Sequence, residues 1–245
     1  MAEEELTGDE LAIRARDDMR GALDSIKRAS DAYVFDGEPA EGRASGAPER
    51  RELVFGGEDE RDAAIAEKPL MEESVFRGLI FDVNRMDVEL PDGRRAQRDV
   101  VRHPGAVAIV ALTDDGRICL VRQYRPSLGR VTVEIPAGKL DPGEDPLVCA
   151  TRELEEETGL SAERIAYLTT IATTPGFTDE LIHFYMATGL SLGESHPDAD
   201  EFLNIDLVEL PELVDAVLDG RIEDAKTVIG ALICDAVSRR LESEE

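Results

Sequence analysis

Residues 138–160 read GKLDPGEDPLVCATRELEEETGL, and this stretch sets both the fold and the chemistry of the chain. A helix is predicted from Asp145 to Glu157, with Gly159 just past its end, where a left-handed cap is expected. Glu153, Glu156 and Glu157 stand at i, i+3 and i+4 and so share one helix face. Three neighbouring carboxylates repel one another, and folding alone seldom rewards them. A divalent cation does. Hard oxygen ligands suit Mg²⁺, which takes a few carboxylates together with phosphate oxygens; Mn²⁺ is the alternative. The plain competitor is a solvated acidic helix face, since the whole chain is acidic.

The 245 residues are enough for one large domain, or one domain with an extension. Hydrophobic residues make up 42%, enough for a core, but apolar runs such as Ala106–Leu112 stop well short of a membrane span. The acidic N-terminus lacks the basic start and apolar stretch of a signal peptide, so a cytoplasmic enzyme without a membrane partner is expected. A net charge of −27 disfavours nucleic acid and anionic membranes. It also repels anionic substrates, so a phosphate site must bring its own cations or metal. Cys119, Cys149 and Cys234 are dispersed among apolar residues, which argues against a disulfide framework or a zinc site.

Residues 1–35 read as a helix, with Thr7 and Glu10 as a capping box. Residues 36–52, rich in Gly, Pro, Ala and charge, read as a flexible linker. Residues 53–73 are ambiguous. Strands are expected at Val75–Val83 and Met86–Leu90, broken by turns such as Pro91-Asp92-Gly93. Val107–Leu112 and Ile118–Tyr124 read as a hairpin across Asp114-Asp115-Gly116. Further strands are expected at Val131–Ile135, Ile165–Thr170, Leu181–Ala187 and Ile205–Glu209, and helices at Pro211–Leu218 and Ile222–Ser243. Strands interleaved with a few helices, without regular alternation, imply a mixed-sheet α+β or α/β sandwich.

The spacing from Gly138 is Gly-x5-Glu-x7-Arg-Glu-Leu-x-Glu-Glu-x-Gly-Leu, ending at Leu160, and it resembles the Nudix box. Flanking elements extend the likeness over residues 75–240. Arg98–Ala106, Arg122-Gln123-Tyr124-Arg125, Glu134–Gly138, Thr174–Glu180 and Asp200-Glu201-Phe202 resemble elements of the ADP-ribose pyrophosphatase branch of the Nudix hydrolases. The resemblance implies the Nudix fold, an α/β/α sandwich with a mixed β-sheet, plus N-terminal antiparallel strands; the helix read at residues 1–35 adds an extra N-terminal helix outside the part the resemblance covers. With the helix and linker as residues 1–52, the chain is expected to continue as 53–103 (a β segment for dimerisation) and 104–245 (the hydrolase domain). The resemblance also implies a homodimer and a small nucleoside diphosphate substrate.

The same resemblance implies the site. Glu153 and Glu157 are expected as metal ligands with the carbonyl of Ala137, and Glu156 lies beside them. Arg152 and Glu144 are expected to lock loop to helix. Arg98, Arg125 and Glu134 are expected at the substrate, because the planar arginine fork suits phosphate. Some members place two glutamates two residues apart in the late acidic loop. Here one falls on Glu201 and the other on Ala199, which cannot act. Glu201 is thus the first choice as base or metal ligand, followed by Asp200, Asp198 and Glu180. His103 reads as a turn residue, and His183 and His196 form no ligand spacing with it.

The reaction these features imply is Mg²⁺-dependent cleavage of ADP-ribose to AMP and ribose 5-phosphate. Another nucleoside diphosphate sugar is the near alternative. A catalytically silent nucleotide-sugar sensor is the alternative of a different class, and Ala199 speaks for it. Modified nucleoside triphosphates fit less well, given the Pro175-Gly176 loop.

Overall fold

The computed structural model describes residues 60–193 and 202–244. The expected helix and linker before residue 53 lie outside the described residues, as do His196, Asp198, Ala199, Asp200 and Glu201. A short 3₁₀ turn, Glu60–Ala64, precedes three antiparallel strands: β1 (Lys68–Arg77), β2 (Asp82–Glu89) and β3 (Arg95–Arg102). The ambiguous stretch thus runs into β1. Val75–Val83 is not continuous: Gly78 N–H donates to the Phe81 carbonyl at 3.0 Å, and the chain turns there. Pro91-Asp92-Gly93 is a turn as expected, with Gly93 at a φ of 82°. Every residue of β1 is exposed.

The rest of the described chain is built around one strand. β4 (Ala106–Ala111) pairs antiparallel with β7 (Ala137–Lys139) and parallel with β9 (Leu181–Leu192), which pairs in turn with β8 (Leu160–Ala172). This mixed sheet has the order β7-β4-β9-β8. A second sheet, in the order β10-β5-β6, contains β5 (Arg117–Arg125), β6 (Arg130–Glu134) and β10 (Leu203–Glu209). The helices are α1 (Pro146–Thr158), α2 (Leu210–Leu218) and α3 (Ala225–Glu244).

Successive residues of a strand face opposite ways, so a strand covered on both sides reads as an unbroken apolar run. In β4, Val107, Ile109 and Ala111 pack with Cys149, Ala150 and Leu154 of α1. Ala108 and Val110 join Ile118 and Leu120 of β5, Leu213 of α2, and Ala231 and Cys234 of α3. The result is the layered α+β sandwich that the strand and helix pattern implies. The hairpin expected between β4 and β5 is not formed. Its turn exists, with Gly116 N–H on the Thr113 carbonyl at 3.0 Å, but only Leu112 and Ile118 bridge before the strands part into different sheets. Covering both faces of β4 requires that parting, because β5 supplies part of the cover. The three cysteines are free and buried.

Candidate active site

Helix α1 is fixed at both ends by its sequence. Asp145 caps the N-terminus, accepting from Leu147 N–H at 2.8 Å, and Pro146 fits the first turn, where no N–H is needed. Gly159 ends the helix at a φ of 70°, with its N–H on the Glu155 carbonyl. Between these caps the buried residues are Cys149, Ala150, Leu154, Glu157 and Thr158. Anchoring Leu154 in the core therefore carries Glu153 and Glu157 to the edge of the sheet.

There they meet β7. Glu157 is only 4% exposed, and its Oε2 accepts the Ala137 N–H at 3.1 Å. The Glu153 carboxylate lies against Gly138 so closely that a Cβ at that glycine would fall 1.8 Å from Glu153 Cδ. Only glycine allows this approach.

Arg152 ties the cluster together. Its Nε and Nη2 donate to the two oxygens of Glu144, both at 3.0 Å, while Nη1 donates to Glu153 at 2.7 Å and Glu156 at 2.8 Å. Asp141 N–H adds a further bond to Glu144 at 3.0 Å. The Arg152 bonds, helped by Asp141 N–H, lower the Glu144 carboxyl to about 2. The glutamates hold Arg152 above the usual arginine range. Arg152 thus locks the Asp141–Glu144 loop to the helix and orients two of its carboxylates at once. Burial, with the nearby Glu144 and Glu153 charges, pushes the Cys149 thiol up to about 12, so it is inert as a nucleophile.

A second cluster forms where β5 and β6 meet. Arg125 donates to Glu134 through Nε at 2.7 Å and Nη2 at 2.5 Å. Thr132 Oγ1 donates to the same carboxylate at 2.5 Å, and Lys226 donates to its Oε2. Burial works to raise Glu134, but Arg125, Lys226 and Thr132 outweigh it and hold the carboxyl at about 2.

The other expected site residues are placed elsewhere. Arg98 donates to Glu67 at 2.5 Å on the β1–β3 sheet. Glu180 accepts from Thr173 Oγ1 at 2.8 Å and lies 3.4 Å from His103 Nδ1. That nitrogen accepts the Gly105 N–H at 3.1 Å, which makes His103 the turn residue it was read as. The Thr174–Glu180 loop is stitched to the end of β3. Val101 N–H donates to Phe177 O at 2.7 Å, His103 N–H to Asp179 at 2.9 Å, and Arg102 reaches both Asp179 and Glu72.

Sequence reasoning passed over Asp224, Lys226 and Thr227. The last helix was legible, but Lys226 and Thr227 at its start bond partners some ninety positions away, Lys226 to Glu134 and Thr227 Oγ1 to Ile135 N–H at 2.8 Å, while Asp224 holds both of them locally.

The donor set fits a hard divalent cation. Two carboxylates converge on the Ala137-Gly138 backbone in a cradle that a side chain would fill. Among the described residues no three His, Cys, Asp or Glu side chains close into a complete cage.

Comparison with known proteins places this geometry. A relative from Bacillus methanolicus named methanol dehydrogenase activator is 49% identical over 165 residues, covering 66% of this chain and 89% of that one. An ADP-ribose pyrophosphatase of Bacillus subtilis (strain 168) is 45% identical over 166 residues, covering 67% of this chain and 90% of that one. A crystal structure of an ADP compounds hydrolase superposes with a TM-score of 0.62 at 26% identity, covering 72% of this chain and 96% of its own. The NUDIX domain profile matches residues 102–229, from the end of β3 into α3. With the carboxylate helix, the glycine beneath Glu153 and the Arg152 lock all inside that span, the chain is an enzyme of the NUDIX domain family, a Nudix hydrolase.

Proposed function

We propose that the chain hydrolyses the pyrophosphate of ADP-ribose to AMP and ribose 5-phosphate, with Mg²⁺ as cofactor and Mn²⁺ as a substitute. The convergence of Glu153 and Glu157 on Ala137 and Gly138 carries the reading, and the name borne by the B. subtilis relative supports the substrate. Glu153, Glu157, the Ala137 carbonyl and Glu201 would hold the metal. When bound, it supplies charge against the phosphates and makes a coordinated water more acidic.

The remaining work falls to side chains. Arg152 keeps Glu153 and Glu156 oriented. Arg125 binds the diphosphate, with Arg98 as the second candidate. The base is Glu201 in the first instance, then Asp200, Asp198 or Glu180, with Glu156 a further catalytic candidate on the helix; whichever acts must lie within hydrogen-bond reach of the attacking water, directly or through one intermediary. Residues 104–245 form the hydrolase domain and 53–103 the dimerisation segment, while 1–52 is an extension. Homodimerisation is supported by Met71, Val75, Phe76 and Ile80, which expose more than half of their surface. We place the enzyme in the cytoplasm with its nucleotide substrate.

A second reading is a regulator that binds a nucleotide sugar without cleaving it, and the relative named methanol dehydrogenase activator favours a regulatory role. The test is release of phosphate-bearing products from a panel of nucleoside diphosphate sugars, with Mg²⁺ and after chelation, for wild type and Glu157→Gln. The hydrolase reading expects ADP-ribose to lead and both chelation and the substitution to stop turnover. Binding of ADP-ribose without cleavage would favour the regulator.

A further inference from the structure

The chain has four lysines, Lys27, Lys68, Lys139 and Lys226, and the last is nearly enclosed. The Lys226 side chain is 11% exposed and donates to Glu134 and to Asp224, the latter at 3.0 Å. Burying an ammonium group is costly unless it is paired, so a lysine here needs a reason. The helix start does not provide one. Asp224 already caps it, accepting from Thr227 N–H at 3.0 Å and Thr227 Oγ1 at 2.6 Å.

The reason lies at Glu134. Arg125 Nε, Arg125 Nη2, Thr132 Oγ1 and Lys226 Nζ all donate to this one carboxylate. A carboxylate offers about four acceptor positions, so Glu134 is filled and has none left for a substrate hydroxyl. It supports rather than touches. Arg125, by contrast, gives two of its N–H groups to Glu134, and its side chain is 38% exposed. It also lies close enough to Glu157 for that charge to help hold its proton.

We propose that Lys226 is a positioning residue, which by sharing Glu134 with Arg125 aims the exposed edge of Arg125 at the substrate diphosphate and keeps that edge able to bind an anion. This rests on the hydrolase reading above. Arg125 and Lys226 balance the charges of Glu134 and Asp224, with Glu157 a further carboxylate nearby. Without Lys226 the cluster carries a net negative charge, on a protein whose net charge is already −27. Arg125 then becomes the sole cation on Glu134 and is drawn onto it.

The test is steady-state hydrolysis of ADP-ribose by wild type, Lys226→Met, Arg125→Ala and the double variant. Lys226→Met is expected to raise KM about tenfold, in line with loss of a charge-assisted contact, with kcat changed far less. In the Arg125→Ala background the same change should leave KM where Arg125→Ala alone puts it, because Lys226 acts through Arg125. Should Lys226→Met fail to fold, Lys226→Gln, which still donates to Glu134 but carries no charge, must show the same direction of change. An unmoved KM in a folded Lys226 variant, or an undiminished effect without Arg125, overturns the inference. Wild type that leaves ADP-ribose intact overturns the hydrolase reading instead, so the two failures are separable.

Discussion

The two clusters of arginine and glutamate use the same residue types in opposite proportion. On α1 one guanidinium, Arg152, serves Glu144, Glu153 and Glu156. At the end of β6 one carboxylate, Glu134, serves Arg125 and Lys226. The first is rich in acceptors and suited to a cation. The second is saturated at its carboxylate and keeps donors to spare, which suits an anion. A phosphate ester carrying a metal needs both kinds of surface side by side. Residue identity therefore says less about role than the local ratio of donors to acceptors.

The hardest blow to this contrast would come from the metal side. Glu157→Gln is expected to lower kcat by about a thousandfold, the scale of losing a preorganised charge in a metal site, as read by AMP release. If Glu134→Gln were equally damaging to kcat, the division into cation and anion surfaces would collapse. Gly138→Ala comes next. Its methyl group would displace the Glu153 carboxylate, and a misplacement of that size costs about a hundredfold in turnover. Thermal unfolding should change little by comparison, which separates a displaced ligand from a broken fold.

Glu134 sharpens the contrast through pH. Its carboxyl is lowered from an ordinary 4.5 to about 2 in the folded chain. A depressed carboxylate stabilises the fold above its unfolded pKa, and that stability is lost as pH falls through the folded value. The contribution, on the order of 3 kcal/mol, should be complete at neutral pH and fade between about 4.5 and 2. Glu134→Gln cannot titrate, so its stability deficit against wild type should shrink across that window in denaturant titrations. The smallest effect belongs to a third pair, Arg85 and Asp99 on β2 and β3, at 2.8 Å but well exposed. Asp99→Asn should change stability very little, and raised salt should erase even that.

What the sequence disclosed followed from range. The Gly159 cap of α1 and the shared face of Glu153, Glu156 and Glu157 lie within a few turns of one helix, where spacing dictates geometry, whereas the Arg152–Glu144 lock was expected from the resemblance. The division of β4 and β5 between two sheets did not show, because a turn signal says nothing about where strands go next. Lys226 was hidden for the same reason. Its partner Glu134 lies 92 positions away, and nothing near Lys226 marks it as buried. Arg98 shows the reverse problem: its motif was conspicuous, but its contacts in the structure are Glu67 and the Gln97 carbonyl.

The alternation along β4 has a practical meaning for anyone who would remodel this protein. Val107, Ile109 and Ala111 address α1, whereas Ala108 and Val110 address the layer of α2 and α3. A library restricted to 108 and 110 would retune the α2 and α3 side while leaving the α1 side as a constant. One restricted to 107, 109 and 111 would do the opposite. Five consecutive residues therefore act as two separate dials, selected by the parity of the residue number.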